Sequence, residues 1–155
     1  MAKRSKSQTE VTINQIMDEA FKQILSIGFE AMSYTTLSEA TGISRTGISH
    51  HFPKKTDFLV KLDERIGELF VQSMNFSSVS ALKESWAATL AKPRYKAVMR
   101  LFFSLCGYND NRLAHFRAVE NLESNALNSL GEEGKNTVHQ LIGEASVQLL
   151  KEEAQ

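Results

Sequence analysis

The stretch Thr36–Phe52, TLSEATGISRTGISHHF, holds two short helical patterns separated by a glycine turn. Helices of this length are marginal in water, so neither could stand alone and the rest of the chain must cover them. Thr36 precedes Glu39 by three residues, the capping-box spacing, which predicts Thr36 as the first N-cap. Leu37, Ala40 and Ile43 form the expected inward line, with small Ala40 allowing a close crossing. Thr41-Gly42 ends this helix, because glycine adopts the left-handed conformation without steric cost. Ser44 is the expected N-cap of a second helix over Arg45–His51, with Ile48 and Phe52 turned inward four residues apart. Arg45, Thr46, Ser49 and His50 remain on or near the outer face. Two helices joined by a short turn with glycine are the helix-turn-helix signature, in which the second helix reads a DNA groove. The same pattern also describes an ordinary helical corner facing water, so the flanks decide.

Upstream, residues 10–28 carry Ile13, Ile16, Met17, Ala20, Phe21, Ile24, Leu25 and Ile27 at helical spacing, and Gly28 stops the run. This predicts a three-helix unit in which the first helix covers the next two. Residues 1–8, with Lys3, Arg4 and Lys6, read as a polar basic tail. Such a tail is either disordered or an arm that touches phosphate or the minor groove. Downstream, Pro53 ends the reading helix and Thr56 or a neighbour opens the next. Lys55, beside Lys54, is either a solvated lysine or a phosphate clamp at a helix start. Phe58, Leu59, Leu62, Ile66, Leu69, Phe70 and Met74 continue a helix to about residue 74, too long to serve the small unit alone. The expected organisation is a DNA-binding domain over 1–55 and a helical dimerisation and effector-binding domain over 56–155.

In the second half, Ser80 is the expected cap of a helix over 81–91. Pro93 then opens a helix to about 107 with a wide apolar face, and Gly107 ends it. Residues 108–111 read as a turn. Leu113, Phe116, Val119, Leu122, Ala126, Leu127 and Leu130 mark a helix over 112–130, and Val138, Leu141, Ile142, Ala145 and Leu149 mark another over 135–152. The segment Gly131-Glu132-Glu133-Gly134 separates them, which makes them antiparallel neighbours. Their cover is either the rest of the monomer or the same pair from a second copy around a two-fold axis. No strand pattern or internal repeat is present, so the chain reads as all-α. Trp86, Met99, Phe102, Phe103, Cys106, His115 and Phe116 (with Tyr95) are the candidates to line a cavity for a small hydrophobic effector, with plain core as the competing role.

The 155 residues carry 18 Lys and Arg against 18 Asp and Glu, so any nucleic-acid affinity must come from a local patch. The single cysteine, Cys106, lies in an apolar run and is expected to be a buried thiol in a reducing compartment. The basic N-terminus has no apolar segment behind it, and no run approaches bilayer length. A soluble cytoplasmic protein without membrane association is expected. No zinc spacing, phosphate-binding glycine loop, nucleophile elbow or paired-acid arrangement appears, so no metal, cofactor or enzyme activity is expected.

Over residues 10–62 the chain resembles the TetR family of bacterial transcriptional regulators. The residues that carry the likeness are Ile27-Gly28-Phe29, the run from Tyr34 through Gly42-Ile43-Ser44-Arg45-Thr46 to His50-His51-Phe52, and Lys54-Lys55-Thr56-Asp57-Phe58-Leu59. The resemblance implies a homodimeric repressor that binds an inverted-repeat operator in double-stranded DNA and is released when a small molecule enters its helical domain. A DNA-binding dimer without such a switch, controlled by a partner or by abundance, is the alternative. Ser49 stands where the family often has Tyr, and Gly47 where it usually has Thr, Ala or Ser. Carried onto this chain, the DNA-binding set is Arg45, Thr46, Gly47, Ser49 and His50 with Thr36, Lys55 and Tyr34. Arg45 reaches a guanine edge or a phosphate, and His51 either joins this set or packs against the first helix.

Overall fold

The structure, a computed structural model, describes residues 5–107 and 115–154. All regular structure among them is helical: α1 (Lys6–Ser26), α2 (Tyr34–Thr41), α3 (Arg45–His51), α4 (Thr56–Gln72), α5 (Val79–Leu90), α6 (Pro93–Cys106) and α7 (Arg117–Glu153). The chain forms two compact units, Met1–Leu62 and Asp63–Gln155, and the division falls inside α4. An all-α fold with an N-terminal helix-turn-helix cluster and a C-terminal helical bundle is therefore what this sequence builds. No described helix is long and apolar enough to cross a membrane.

In the N-terminal unit, α1 starts earlier than the apolar periodicity suggests. Ser5 Oγ accepts the Gln8 N–H at 3.3 Å and the Ser5 N–H donates to Gln8 Oε1 at 3.2 Å, a complete capping box. The expected polar tail is thus helical from Lys6, because this cap lies ahead of the first apolar residue. Lys3 and Arg4 lie outside the described residues. Helix α2 also starts early. Its cap is Ser33, whose Oγ accepts the Thr36 N–H at 3.1 Å, while the Ser33 N–H donates to Thr36 Oγ1 at 2.9 Å. Thr36 is therefore the third residue of the box and not its cap, and Glu39 is exposed. The inward row also differs from the expected one. Leu37 is fully buried, with Ser33, Tyr34 and Thr41 half-buried at four- and three-residue steps, whereas Ala40 is exposed. Gly42 ends α2 at φ 73°, and Ser44 Oγ caps α3 by accepting the Gly47 N–H at 3.1 Å. Ile16, Ala20 and Ile24 of α1 are buried, as are Leu37, Ile48, Phe52, Phe58, Leu59 and Leu62.

In the C-terminal unit, Ser78 rather than Ser80 caps α5, with its Oγ accepting the Ala81 N–H at 3.0 Å. Pro93 is the first residue of α6, where its missing N–H costs nothing. Phe70 of α4 packs edge-on to Tyr95 at 5.4 Å and against Trp86 at 5.7 Å. The expected turn over 108–111 and Leu113 lie outside the described residues. Helix α7 breaks at Gly131, with φ 68° and ψ −158°, a region open essentially to glycine alone. The expected four-residue connection is thus one glycine. The two halves, 117–130 and 132–153, run antiparallel, because Glu123 pairs with His139 and Gly134 approaches Ala126. Lys96 and Arg100 of α6 tie down the far end of α7, 3.0 Å from Glu152 and Glu153 respectively. Cys106 is exposed in the last turn of α6, against the expectation of a buried thiol.

The hairpin depends on Gly134, where an added Cβ would lie 2.5 Å from Leu130 Cβ and 2.7 Å from the Ala126 carbonyl oxygen. A backbone oxygen cannot step aside as a side chain can. Gly134→Ala is expected to destabilise the protein by about 1–3 kcal/mol, the usual cost of overpacking. Urea unfolding at fixed protein concentration checks this, and an unchanged midpoint would refute the close approach.

Candidate functional site

The outer surface of α3 is set by its helical phase. Ile48 is fully buried, and this leaves Arg45, Thr46 and His50 exposed. Ser49 is half-buried, and its hydroxyl donates to the Thr46 carbonyl at 3.1 Å. Position 47 faces the motif itself, since a Cβ there would meet Ser44 Oγ at 3.2 Å and Ile43 Cγ2 at 3.3 Å. Gly47 therefore offers a ligand only backbone. His51 is half-buried, its ring edge-on to His50 at 5.2 Å.

Three residues that flank α3 are held by partners within the unit. The Tyr34 hydroxyl donates to the Phe52 carbonyl at 2.6 Å, which fastens the end of α3. Burial, then the nearby Asp57 carboxylate, push its phenol above the ordinary value. Thr36 Oγ1 hydrogen-bonds Gln23 Oε1 at 2.6 Å, and Gln23 Nε2 donates to the Thr36 carbonyl at 3.1 Å. The Lys55 ammonium donates to the Glu30 carbonyl at 3.0 Å and lies 4.6 Å over the Phe29 ring. Burial lowers its pKa, opposed by Glu30. Its neighbour Lys54 is exposed, with its N–H on Asp57 Oδ2 at 2.8 Å. Sequence reasoning overlooked Gln23, although a glutamine among Ala20, Ile24 and Ile27 is the signal of a buried polar anchor.

The net charge of zero is unevenly divided. Residues 1–62 hold eight Lys and Arg against six Asp and Glu, a net +2, and residues 63–155 hold ten against twelve, a net −2. The local excess accompanies the unit that presents Arg45. The described residues contain no group of three or more His, Cys, Asp and Glu able to hold a metal ion.

Among the described residues, the C-terminal unit carries a cleft and a groove. A cleft of about 260 Å³ is lined by Phe102, Leu105 and Cys106 of α6 and by His115, Phe116, Val119 and Glu120 at the start of α7. The Phe102 and Phe116 rings are 5.3 Å apart, and His115 Nδ1 pairs with Glu120 Oε1 at 2.8 Å. Four of the sequence candidates thus meet here. Leu105 and Val119 follow Phe102 and Phe116 at three-residue steps, which made them legible too. A groove of about 450 Å³ between α5 and the second half of α7 has Trp86, Leu90, Leu141 and Ala145 as its apolar lining, with Lys83 and Glu144 beside them. Met99 and Tyr95 are buried core, and Phe103 stacks at an angle on Phe102 without lining the cleft.

Residues 16–62 match the family model described as bacterial regulatory proteins, tetR family, and residues 63–149 match that of the tetracycline repressor LuxT C-terminal domain. The chain is 26% identical over 125 residues to a probable acrEF/envCD operon repressor of Escherichia coli K12, covering 74% of this chain and 57% of that protein. It is 24% identical over 133 residues to the HTH-type transcriptional regulator AcrR of Shigella flexneri, covering 79% of this chain and 62% of that one. The chain thus spans about three-fifths of the length of these relatives.

The bond from Tyr34 to Phe52 ties α2 to the end of α3, so its loss should register as stability. Tyr34→Phe is expected to lower unfolding free energy by about 0.5–1.5 kcal/mol, the usual net worth of one such bond. Thermal and urea unfolding check this. An unaltered stability would mean that the hydroxyl is not a clasp on the reading helix.

Proposed function

Because this chain belongs to the TetR family of bacterial regulatory proteins, we propose that it is a homodimeric transcriptional repressor that binds an inverted-repeat operator and is released by a small hydrophobic effector. The single observation that carries the reading is the exposed polar face of α3, held in place by the buried residues Ile48 and Phe52. Arg45, Thr46 and His50 are the primary groove contacts, with Ser49 reaching a base or a bridging water. Exposed Lys54, the backbone near Gly47, and the remaining N–H bonds of Lys55 serve phosphates, while Tyr34 and Thr36 position the reading helix and meet the backbone only secondarily.

Dimerisation uses the two halves of α7. Val147 is 53% exposed and Leu150 71% exposed, one helical turn apart, and Leu127 of the other half is 38% exposed. Exposed apolar side chains on both halves of a helical hairpin suit a four-helix contact with a second copy. The effector reading draws support from the cleft beside Phe102 and Phe116. Its volume of about 260 Å³ is under the range of drug-sized pockets, about 300–1,000 Å³, and so suits a small ligand.

Selection from a random duplex pool with the full chain at about 0.15 M salt is expected to recover an inverted repeat with half-sites about 34 Å apart, or one helical turn. Recovery of no common sequence would sink the operator reading. Against the recovered duplex, Arg45→Ala should lose roughly ten-fold or more in affinity, in line with a base contact worth about 1–3 kcal/mol, and far less on random DNA. Equal losses would make Arg45 a phosphate contact. Leu150→Glu should shift the protein from dimer to monomer in sedimentation and weaken operator binding. A dimer that persists would place the interface elsewhere.

A further inference from the structure

Helix α7 begins without a cap of its own. Phe116 precedes it and supplies no side-chain acceptor. The Arg117 N–H is taken instead by Asp63 of α4, with Oδ1 at 3.0 Å, and Arg117 Nε lies 3.6 Å from Asp63 Oδ2. The carboxylate is well shielded at 18% side-chain exposure. One turn further along α4, Gly67 lets the two helices touch: a Cβ there would lie 2.9 Å from Arg117 Cβ and 3.1 Å from Asn121 Nδ2. The joint is thus close-packed and held by a charge-assisted bond to main chain, which is stronger and more directional than a surface ion pair. Burial raises the Asp63 carboxyl above its usual range, against the downward pull of the Arg117 N–H and guanidinium.

The same first turn of α7 is a wall of the ligand cleft, through Phe116, Val119 and Glu120. Asp63 also follows directly on Leu62, a fully buried residue of the N-terminal unit, on one continuous helix. We propose that Asp63 is the positioning residue that carries occupancy of the Phe102–Phe116 cleft into α4. A small apolar ligand wedged between the two rings displaces the first turn of α7, and Asp63, bonded to the N–H of that turn, is displaced with it. This deepens, and rests on, the reading of the chain as an effector-released regulator.

The chain supplies its own handle for a test without an identified effector. Cys106 is its only cysteine, is exposed, and lines the cleft. N-phenylmaleimide adds the thiol across its double bond, with sulfur joining one carbon and the proton ending on the other, and so installs an aromatic ring beside Phe102. The phenyl adduct of the full-length protein should bind the selected operator at least ten-fold more weakly than unmodified protein. The N-methylmaleimide adduct should stay within three-fold. In Asp63→Ala the phenyl adduct should also stay within three-fold of its unmodified form, and Arg117→Ala, which keeps the backbone bond, should fall between. Should Asp63→Ala not fold, Arg117→Ala carries the comparison. Equal losses in wild type and variants would overturn the role of Asp63, as would a wild-type adduct that keeps full affinity. Unmodified protein that ignores every duplex would instead overturn the regulator reading itself.

Discussion

The exposed polar face of α3 depends on the burial of a few apolar side chains on helices that are too short to persist alone. Helix α2 has eight residues and α3 seven, well below the length at which isolated helices hold. What keeps them folded is Leu37, Ile48 and Phe52, each almost wholly removed from water. Phe52 stacks on Phe58 at 4.4 Å, so the end of the reading helix rests on the beginning of α4. Tyr34 adds a hydrogen bond to the same Phe52, and Gln23 of α1 adds two to Thr36. Arg45, Thr46 and His50 can then be polar and solvent-facing without cost to the fold, because none of them is needed to hold it.

The helix-turn-helix was legible because its punctuation is unambiguous. Gly42, Ser44 and Pro53 each have one structural use at their positions, and α3 runs over Arg45–His51 as its sequence indicates. The local pattern pointed to Thr36 and Ser80 as caps, yet the nearby Ser33 and Ser78 take that role. Ser33 and Thr36 both have a hydroxyl able to cap, as do Ser78 and Ser80. The choice was made by tertiary contact: Thr36 is drawn to Gln23 on α1, and the helix then extends back to Ser33. Gly131 was visible as a breaker, but the tightness of the reversal was not, because it requires Gly134 against Ala126 as well.

The candidate site divides in the same way. Exposure on α3 follows from helical phase, which one buried residue, Ile48, fixes for the whole helix. The partners of Tyr34, Thr36 and Lys55 lie 18, 13 and 25 residues away in sequence, and no local pattern announces them. Cys106 misled for a related reason. The apolar run around it gives composition, but exposure depends on which face of α6 the last turn presents, and Ser104 and Cys106 both fall on the outside. Asp63 carried no signal at all, since its role as a cap belongs to a helix that begins 54 residues later.

A small cleft places a limit on what an effector could accomplish, and a dimer of the proposed kind would relax that limit. Shifting a two-state protein from 1:99 to 99:1 needs about 5.5 kcal/mol of differential binding. In a two-fold dimer with two equivalent clefts, each ligand must supply about half of this when both bind the released form preferentially. At about 0.3 kcal/mol per non-hydrogen atom, the figure for drug-sized ligands, about nine such atoms carry a total binding energy equal to that half. That differential is available only if the cleft is closed or narrowed in the operator-bound form, since equal affinity for both forms shifts nothing. The first turn of α7 is the wall best placed to make the difference. It contributes Phe116 to the cleft, and its capping acceptor lies on the helix that also buries Phe58 and Leu62. A device of this kind needs neither a large cavity nor a flexible domain. It needs a joint close-packed enough that a displaced turn would move its partner helix, and Gly67 lies against Arg117 at that joint.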